Sequence, residues 1–173
     1  MGNGFIRDKL DIKFLILFIA ARVIEPLPIE GMQELTMCDG GIDYFDFSVC
    51  LADLVKTEHL RLTEDNRYCI TPKGLKNSEI CESSLPYSVR MRAEKSIAAC
   101  NKELKRRAQV QGKVLPRENG TYTVELSLSD DVDNVMKLQL MVATEEMAQD
   151  LVNRFRKNPE KVYSNLVEAL YNK

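Results

Sequence analysis

A chain of 173 residues, 45% apolar and 29% charged, is long enough to bury one ordinary core or two small ones, and its composition excludes the disordered and fibrous classes. The longest apolar run, residues 14–21, is far short of the roughly 20 residues a bilayer span needs, and Arg22 closes it without a small-residue cleavage pattern. No signal peptide or membrane anchor is expected, and the chain reads as cytoplasmic.

Five cysteines at long, irregular spacings point to reduced thiols and not to a disulfide framework or a zinc cluster. A single histidine, His59, leaves no acid–base constellation and no metal set, so neither a cofactor, a metal nor an enzymatic activity is expected. The net charge of −2 conceals three blocks. Residues 1–85 carry 9 Lys/Arg against 14 Asp/Glu, residues 86–117 carry 9 against 2, and residues 118–173 carry 6 against 10. One basic segment lies between two acidic ones.

In chain order, Leu10, Phe14, Leu17, Phe18 and Ala21 recur at helical spacing, and Ile12, Ile16, Ile19 and Val23 fill a second face. A helix apolar on most sides is a central one. It ends before Glu25-Pro26-Leu27-Pro28, because a proline disfavours the α region for the residue ahead of it. A short helix over 29–37 follows, with Pro28 in its first turn, and Asp39-Gly40-Gly41 predicts a left-handed cap and sharp turn. The third helix is expected over 43–59. Asp43 is its N-cap, Asp46 stands near the capping-box position, and Phe47, Leu51, Leu54 and Val55 form its inner stripe. Three helices, the last two joined by a tight turn, outline a helix-turn-helix.

The period then changes to alternation. Leu60-Arg61-Leu62 and Tyr68-Cys69-Ile70 read as two short strands with an apolar face, separated by the polar turn 64–67. Thr71 caps a further helix with Pro72 at its first position, and Gly74, lacking a Cβ, lets that helix approach the hairpin.

The segment Ile70-Thr71-Pro72-Lys73-Gly74 at the exit of this hairpin resembles the wing and following helix of bacterial winged helix-turn-helix regulators. The chain as a whole is similar to a narrower family, domain of unknown function 4364. The likeness is carried by Leu15-Ile16-Leu17, Tyr44-Phe45, Leu51 with Leu54, Thr71 with Gly74, and Asn119-Gly120 with Tyr122. It implies a winged helix joined to a small C-terminal α/β region. Glutamines usual in that family are replaced here by Ser48 and Val49.

A long helix over 86–110 is expected next, with the narrow stripe Val89, Ala93, Ile97, Cys100, Leu104 and Ala108. Beyond it, Val114-Leu115 suggests a short strand and Asn119-Gly120 a hairpin turn, while Tyr122, Val124, Leu126 and Leu128 alternate inward. Residues 130–134 form a polar loop, and 135–142 a second long strand with Leu138, Leu140 and Val142 in register. Thr144 caps a helix with the stripe Met147, Leu151, Val152 and Phe155, and Asn158-Pro159 starts a last helix carrying Val162, Tyr163, Leu166, Val167 and Leu170. The expected class is α+β: a winged helix-turn-helix domain over 1–85, a basic linker helix over 86–111, and over 112–173 a small antiparallel sheet with two helices.

In a DNA-reading winged helix the third helix enters the major groove and the wing touches the backbone or minor groove. That geometry implicates Tyr44, Asp46, Ser48, Val49 and Ala52 on the helix, Arg61 and Arg67 on the wing, and Lys73 and Lys76 beyond it. Asp43, Asp46 and Asp53 oppose phosphate contact. Phe47 is expected in the core and Phe45 beneath the turn, leaving Tyr44 as the exposed ring. His59 would be a favourable cation at the end of the third helix. Asp130, Asp131 and Asp133 read as a solvated turn, since the loop lacks an EF-hand's Gly and closing Glu.

Three readings of the basic helix stay open. Arg90, Arg92, Lys95, Lys102, Lys105, Arg106 and Arg107 lie along phosphate, or form a solvated face, or flank a stripe that pairs with its copy in a dimer. The function expected is a DNA-binding transcription regulator that docks double-stranded DNA by third helix and wing as a homodimer, its C-terminal part supplying dimer contacts or sensing an effector. The alternative is a winged-helix protein–protein interaction module without DNA binding.

Overall fold

The computed structural model describes residues 5–6 and 8–171. Among these residues the chain is α+β, with seven α-helices and two small antiparallel sheets, and it divides into two compact units, Met1–Leu104 and Lys105–Lys173.

In the first unit, helix α1 (Lys9–Ala20) is capped by the Asp8 carboxylate and buries Ile12 and every residue from Leu15 to Ala20. Around it stand α2 (Ile29–Thr36), α3 (Tyr44–Lys56), α4 (Pro72–Cys81) and α5 (Tyr87–Gln109) as far as Leu104. The core combines Phe18, Met32, Phe47, Cys50, Leu51 and Leu60 with Val89, Ala93 and Ile97 of α5. Strands β1 (Leu60–Leu62) and β2 (Tyr68–Ile70) pair antiparallel, Leu60 opposite Ile70 and Leu62 opposite Tyr68. An isolated bridge from Leu27 to Tyr68 ties this hairpin to the stretch before α2.

Several local expectations are corrected here. Pro28 is the N-cap of α2 and not a first-turn residue, its extended ψ of 168° lying outside the helix. Gly40 and Gly41 do not adopt the left-handed region; among the described glycines only Gly120 has positive φ. The α2–α3 turn is organised instead by Asp39, whose buried carboxylate accepts from the Phe5 and Ile6 amides and from the Arg92 guanidinium. Helix α3 ends at Lys56, three residues before the expected His59. It closes in a Schellman pattern, with Glu58 N donating to Val55 O at 3.0 Å and His59 N to Leu54 O at 2.9 Å. The left-handed position, which glycine usually fills, is held by Glu58 at φ 62°. With no glycine to mark it, this helix end was hidden in the sequence. Leu62 is exposed, not inward like Leu60, because the hairpin tip runs past the core.

In the second unit, β3 (Val110–Pro116), β4 (Tyr122–Ser129) and β5 (Asn134–Val142) form a sheet in the order β3-β4-β5. Strand β3 is longer than the two residues expected and begins at Val110, the residue at which the preceding helix was expected to end. Helix α6 (Glu145–Lys157), capped by Thr144, covers one face of the sheet and buries Ala148, Val152 and Phe155 against Val110, Val124, Leu126 and Met136. Met147 points outward and Ala148 takes its place in the stripe. Helix α7 (Pro159–Tyr171) buries only Pro159; of the apolar residues it carries, Tyr163, Leu166 and Leu170 are exposed, and Val162 and Val167 are partly covered. Asp130 accepts from the Val132 and Asp133 amides, which makes residues 130–134 a tight hydrogen-bonded turn. No helix among the described residues is long and apolar enough to cross a membrane.

Candidate nucleic-acid interface

Helix α3 is oriented by its inner stripe. Phe47, Cys50, Leu51 and Leu54 recur every three or four residues and are all buried. Positions two removed from Phe47 and Leu51 therefore face away from the core at about 100° per residue. Phe45 is one of them: it is 80% exposed, not beneath the turn as the sequence suggested. Tyr44 is 49% exposed with its ring edge-on to Phe45 at 6.2 Å, Val49 is 47% exposed, and Ala52 and Lys56 complete the outward face. Ser48 is half-buried, and its hydroxyl is shielded without a hydrogen-bond partner among the described residues.

The acidic residues of α3 are not free to repel phosphate. Lys9 and Lys13, one turn apart on α1, reach across to Asp46 at 3.1 Å and Asp53 at 3.0 Å. The Lys13 hydrogen bond and charge hold the Asp53 carboxyl below its ordinary range, and Asp46 likewise raises Lys9. Exposed pairs of this kind add little stability, but they cancel the field of α3 toward an approaching anion. Spacing along the chain could show Lys9 and Lys13 sharing a helix face; it could not show which helix they meet.

The junction of α3, hairpin and α4 is built from backbone. The Thr71 amide donates to His59 O at 3.1 Å, the Thr71 hydroxyl to Glu58 O at 2.7 Å, and Gly74 N to the Thr71 oxygen at 3.1 Å. A Cβ on Gly74 would stand 2.1 Å from His59 O, so only glycine permits this contact. The Thr57 hydroxyl donates to Asp53 O, which leaves it to accept from His59 Nδ1–H at 2.8 Å, while His59 Nε2 accepts from Asn77 Nδ2 at 2.6 Å. Burial first, then the charges of Lys73 and Lys13, push the imidazole below its usual pKa. His59 is thus a neutral bridge between α3 and α4 and not the terminal cation expected.

The remaining sequence-selected residues divide into anchored and unpartnered groups. Arg67 donates to Pro26 O at 3.4 Å and Lys73 to Thr57 O at 2.7 Å, both on the exposed rim of the junction. Arg61 and Lys76 are exposed and have no partner among the described residues. Along α5, Arg92 is held by Asp39, and Arg90 lies 3.7 Å from Glu82, which also binds Arg22. Lys105 pairs with Asp131 at 2.7 Å, Arg106 forks onto Glu160, and Arg107 is likewise engaged. Only Lys95 and Lys102 of the seven stand exposed without a partner among the described residues, so the helix is not one continuous cationic rail.

Among the described residues no group of three or more His, Cys, Asp or Glu could hold a metal ion. The open face of the second unit's sheet carries a shallow depression of about 350 Å³ lined by Gln111, Lys113, Glu125, Ser127, Lys137 and Gln139, a polar surface with both charge signs.

The protein is thus an α+β chain whose first unit presents an outward helix face beside a two-stranded hairpin. The profile of the family described as domain of unknown function (DUF4364) matches residues 12–170, and the chain belongs to that family. Neither the curated proteins nor the solved structures compared with it include a match.

Proposed function

We propose that the first unit is a winged helix-turn-helix, α2 and α3 forming the helix pair and β1–β2 the wing, and that the chain is a transcription regulator docking double-stranded DNA through α3 and wing. The observation that carries this reading is the backbone junction. The hairpin follows α3 directly, and Gly74 presses α4 against it, so helix and wing are offered as one rigid edge. Arg61, Arg67, Lys73 and Lys76 supply charge around that edge, and the pairing of Asp46 and Asp53 with lysines of α1 reduces the electrostatic objection to the N-cap Asp43. In this reading the chain performs no catalysis.

The protein acts as a homodimer, as two-fold operators require. The apolar stripe of α5 is already packed within its own unit from Val89 to Leu104, so dimer contact falls to other surfaces, among them the face of α7 that leaves Leu166 and Leu170 exposed. In this reading the second unit supplies dimer contacts or senses an effector. A mobility shift on a random 30-base-pair duplex at 50 and 200 mM salt tests the proposal: a folded sample that retards DNA at low salt and releases it at high salt supports it. Absence of any shift at low salt refutes it.

One observation favours a second reading. Tyr44, Phe45 and Val49 expose a contiguous apolar face, and such faces also serve protein–protein contact. A winged-helix interaction module would bind no duplex at any salt.

A further inference from the structure

The outward face of α3 contains none of the side chains that usually read bases. From Tyr44 to Ala52 it offers Tyr44, Phe45, Val49 and Ala52, with no Arg, Lys, Asn or Gln until Lys56 at the last turn. Bidentate recognition of guanine or adenine needs one of those four types. The one apolar group on the major-groove edge of any base pair is the C5 methyl of thymine. For the apolar stripe of this face, that methyl is the base-edge group it can discriminate by contact.

We infer that α3 selects thymine-bearing steps by packing Phe45, Val49 and Ala52 against thymine C5 methyls, an inference that rests on the DNA reading above. Phe45, Val49 and Ala52 follow one another at four and three residues and so share one side of the helix. They span about 10 Å of axis, or roughly three base-pair steps of about 3.4 Å. Phosphate contact is supplied around the apolar face and not on it. Lys56 continues the same stripe, Lys73 is held at the end of α3 by Thr57 O at 2.7 Å, and Arg61 and Lys76 are exposed without partners among the described residues. With Asp46 and Asp53 paired to Lys9 and Lys13, the apolar stripe Phe45–Val49–Ala52 carries no charge of its own, and Asp43, the exposed N-cap, is the carboxylate left without an ion pair among the described residues at its N-terminal end.

Replacing thymine by uracil removes the methyl and leaves charge and hydrogen-bonding edges unchanged. The experiment compares a 24-base-pair alternating A·T duplex with its A·U counterpart at 50 mM salt, for the full chain and for Val49→Ala. Each buried methyl is worth about a fourfold change in affinity, about 0.8 kcal/mol. The A·T duplex should therefore bind at least fourfold more tightly, and V49A, whose fold is checked by circular dichroism, should shrink that ratio. Shape differences between the duplexes would persist in V49A, so a ratio unmoved by the substitution overturns the inference. Equal affinity of the full chain for both duplexes overturns it while sparing the DNA reading. A folded chain that binds neither duplex overturns the DNA reading and the inference with it.

Discussion

Replacing Gly74 by alanine puts opposing physical effects into direct competition. Alanine in a helix is favoured over glycine by about 1 kcal/mol, while the close approach of α4 to the hairpin expected from the sequence leaves no room for a Cβ. The structure gives the size of that opposing effect. The added Cβ would lie 2.1 Å from His59 O, 3.0 Å from its carbonyl carbon and 2.9 Å from Ile70 Cγ1. The first two are backbone atoms, so the first turn of α4 must retreat by about 1 Å or more to reach ordinary contact. That retreat stretches the Thr71 N–His59 O bond at 3.1 Å and disturbs the Thr71 cap, worth about 1 kcal/mol, on top of an overpacking cost of about 1–3 kcal/mol. The net expectation is a loss of about 1–3 kcal/mol, or a fall in Tm of about 3–10 °C for a chain of this size. Gly31 is the internal control. A Cβ there meets Leu27 Cβ at 3.5 Å, an ordinary contact, so Gly31→Ala should stabilise by about 0.5–1 kcal/mol. Thermal and urea unfolding followed by circular dichroism read both variants. A G74A protein as stable as the parent, in the assay where G31A is raised, would refute the reasoning about the hairpin junction.

Further outcomes follow from single residues. Asp39→Ala strands two backbone amides and the Arg92 guanidinium; Arg92 is half-exposed and regains water, so the loss should be about 2–3 kcal/mol in urea unfolding, and a loss under 0.5 kcal/mol would contradict the role given to this carboxylate. Glu58→Gly relieves a left-handed residue at the end of α3 and should raise stability by about 0.5–1 kcal/mol; a lower urea midpoint would count against the strain. His59 titrates below its ordinary pKa in the fold, so its contribution is complete above about pH 7 and is lost as pH falls through about 6.5 toward the folded value, where the unfolded chain takes up the proton first. Urea midpoints at pH 7.5 and 5.5 should fall further for the parent than for His59→Gln, and equal falls would remove His59 as the cause.

Local rules carried much of the first unit. The N-caps Asp43 and Thr71, the inner stripe of α3, the short strands at 60–62 and 68–70 and the close approach at Gly74 depend on residues within a few positions of one another. Periodicity and capping chemistry report such contacts directly. The same rules failed where a partner distant in sequence decided the outcome. Glu58 could take the left-handed position at the end of α3 because Leu54, Val55 and Thr71 engage the turn from both sides. Asp39 organises the α2–α3 turn through Arg92, which lies 53 residues away, and so removes Arg92 from the cations available to phosphate.

The apolar rhythm of the chain determined that helices would gather around residues 12–20 and that a β-ribbon would follow the third of them, because side chains three and four apart, or two apart, share a face whatever surrounds them. Only the tertiary structure decided which faces were left over. It turned Phe45 outward, spent the stripe of α5 inside its own unit, left that of α7 uncovered, and set Lys9 and Lys13 against the acids of α3. Whether an apolar residue is core or surface, and whether a charge is cancelled or free, depends on neighbours brought together across the chain, and the period of the sequence carries no term for them.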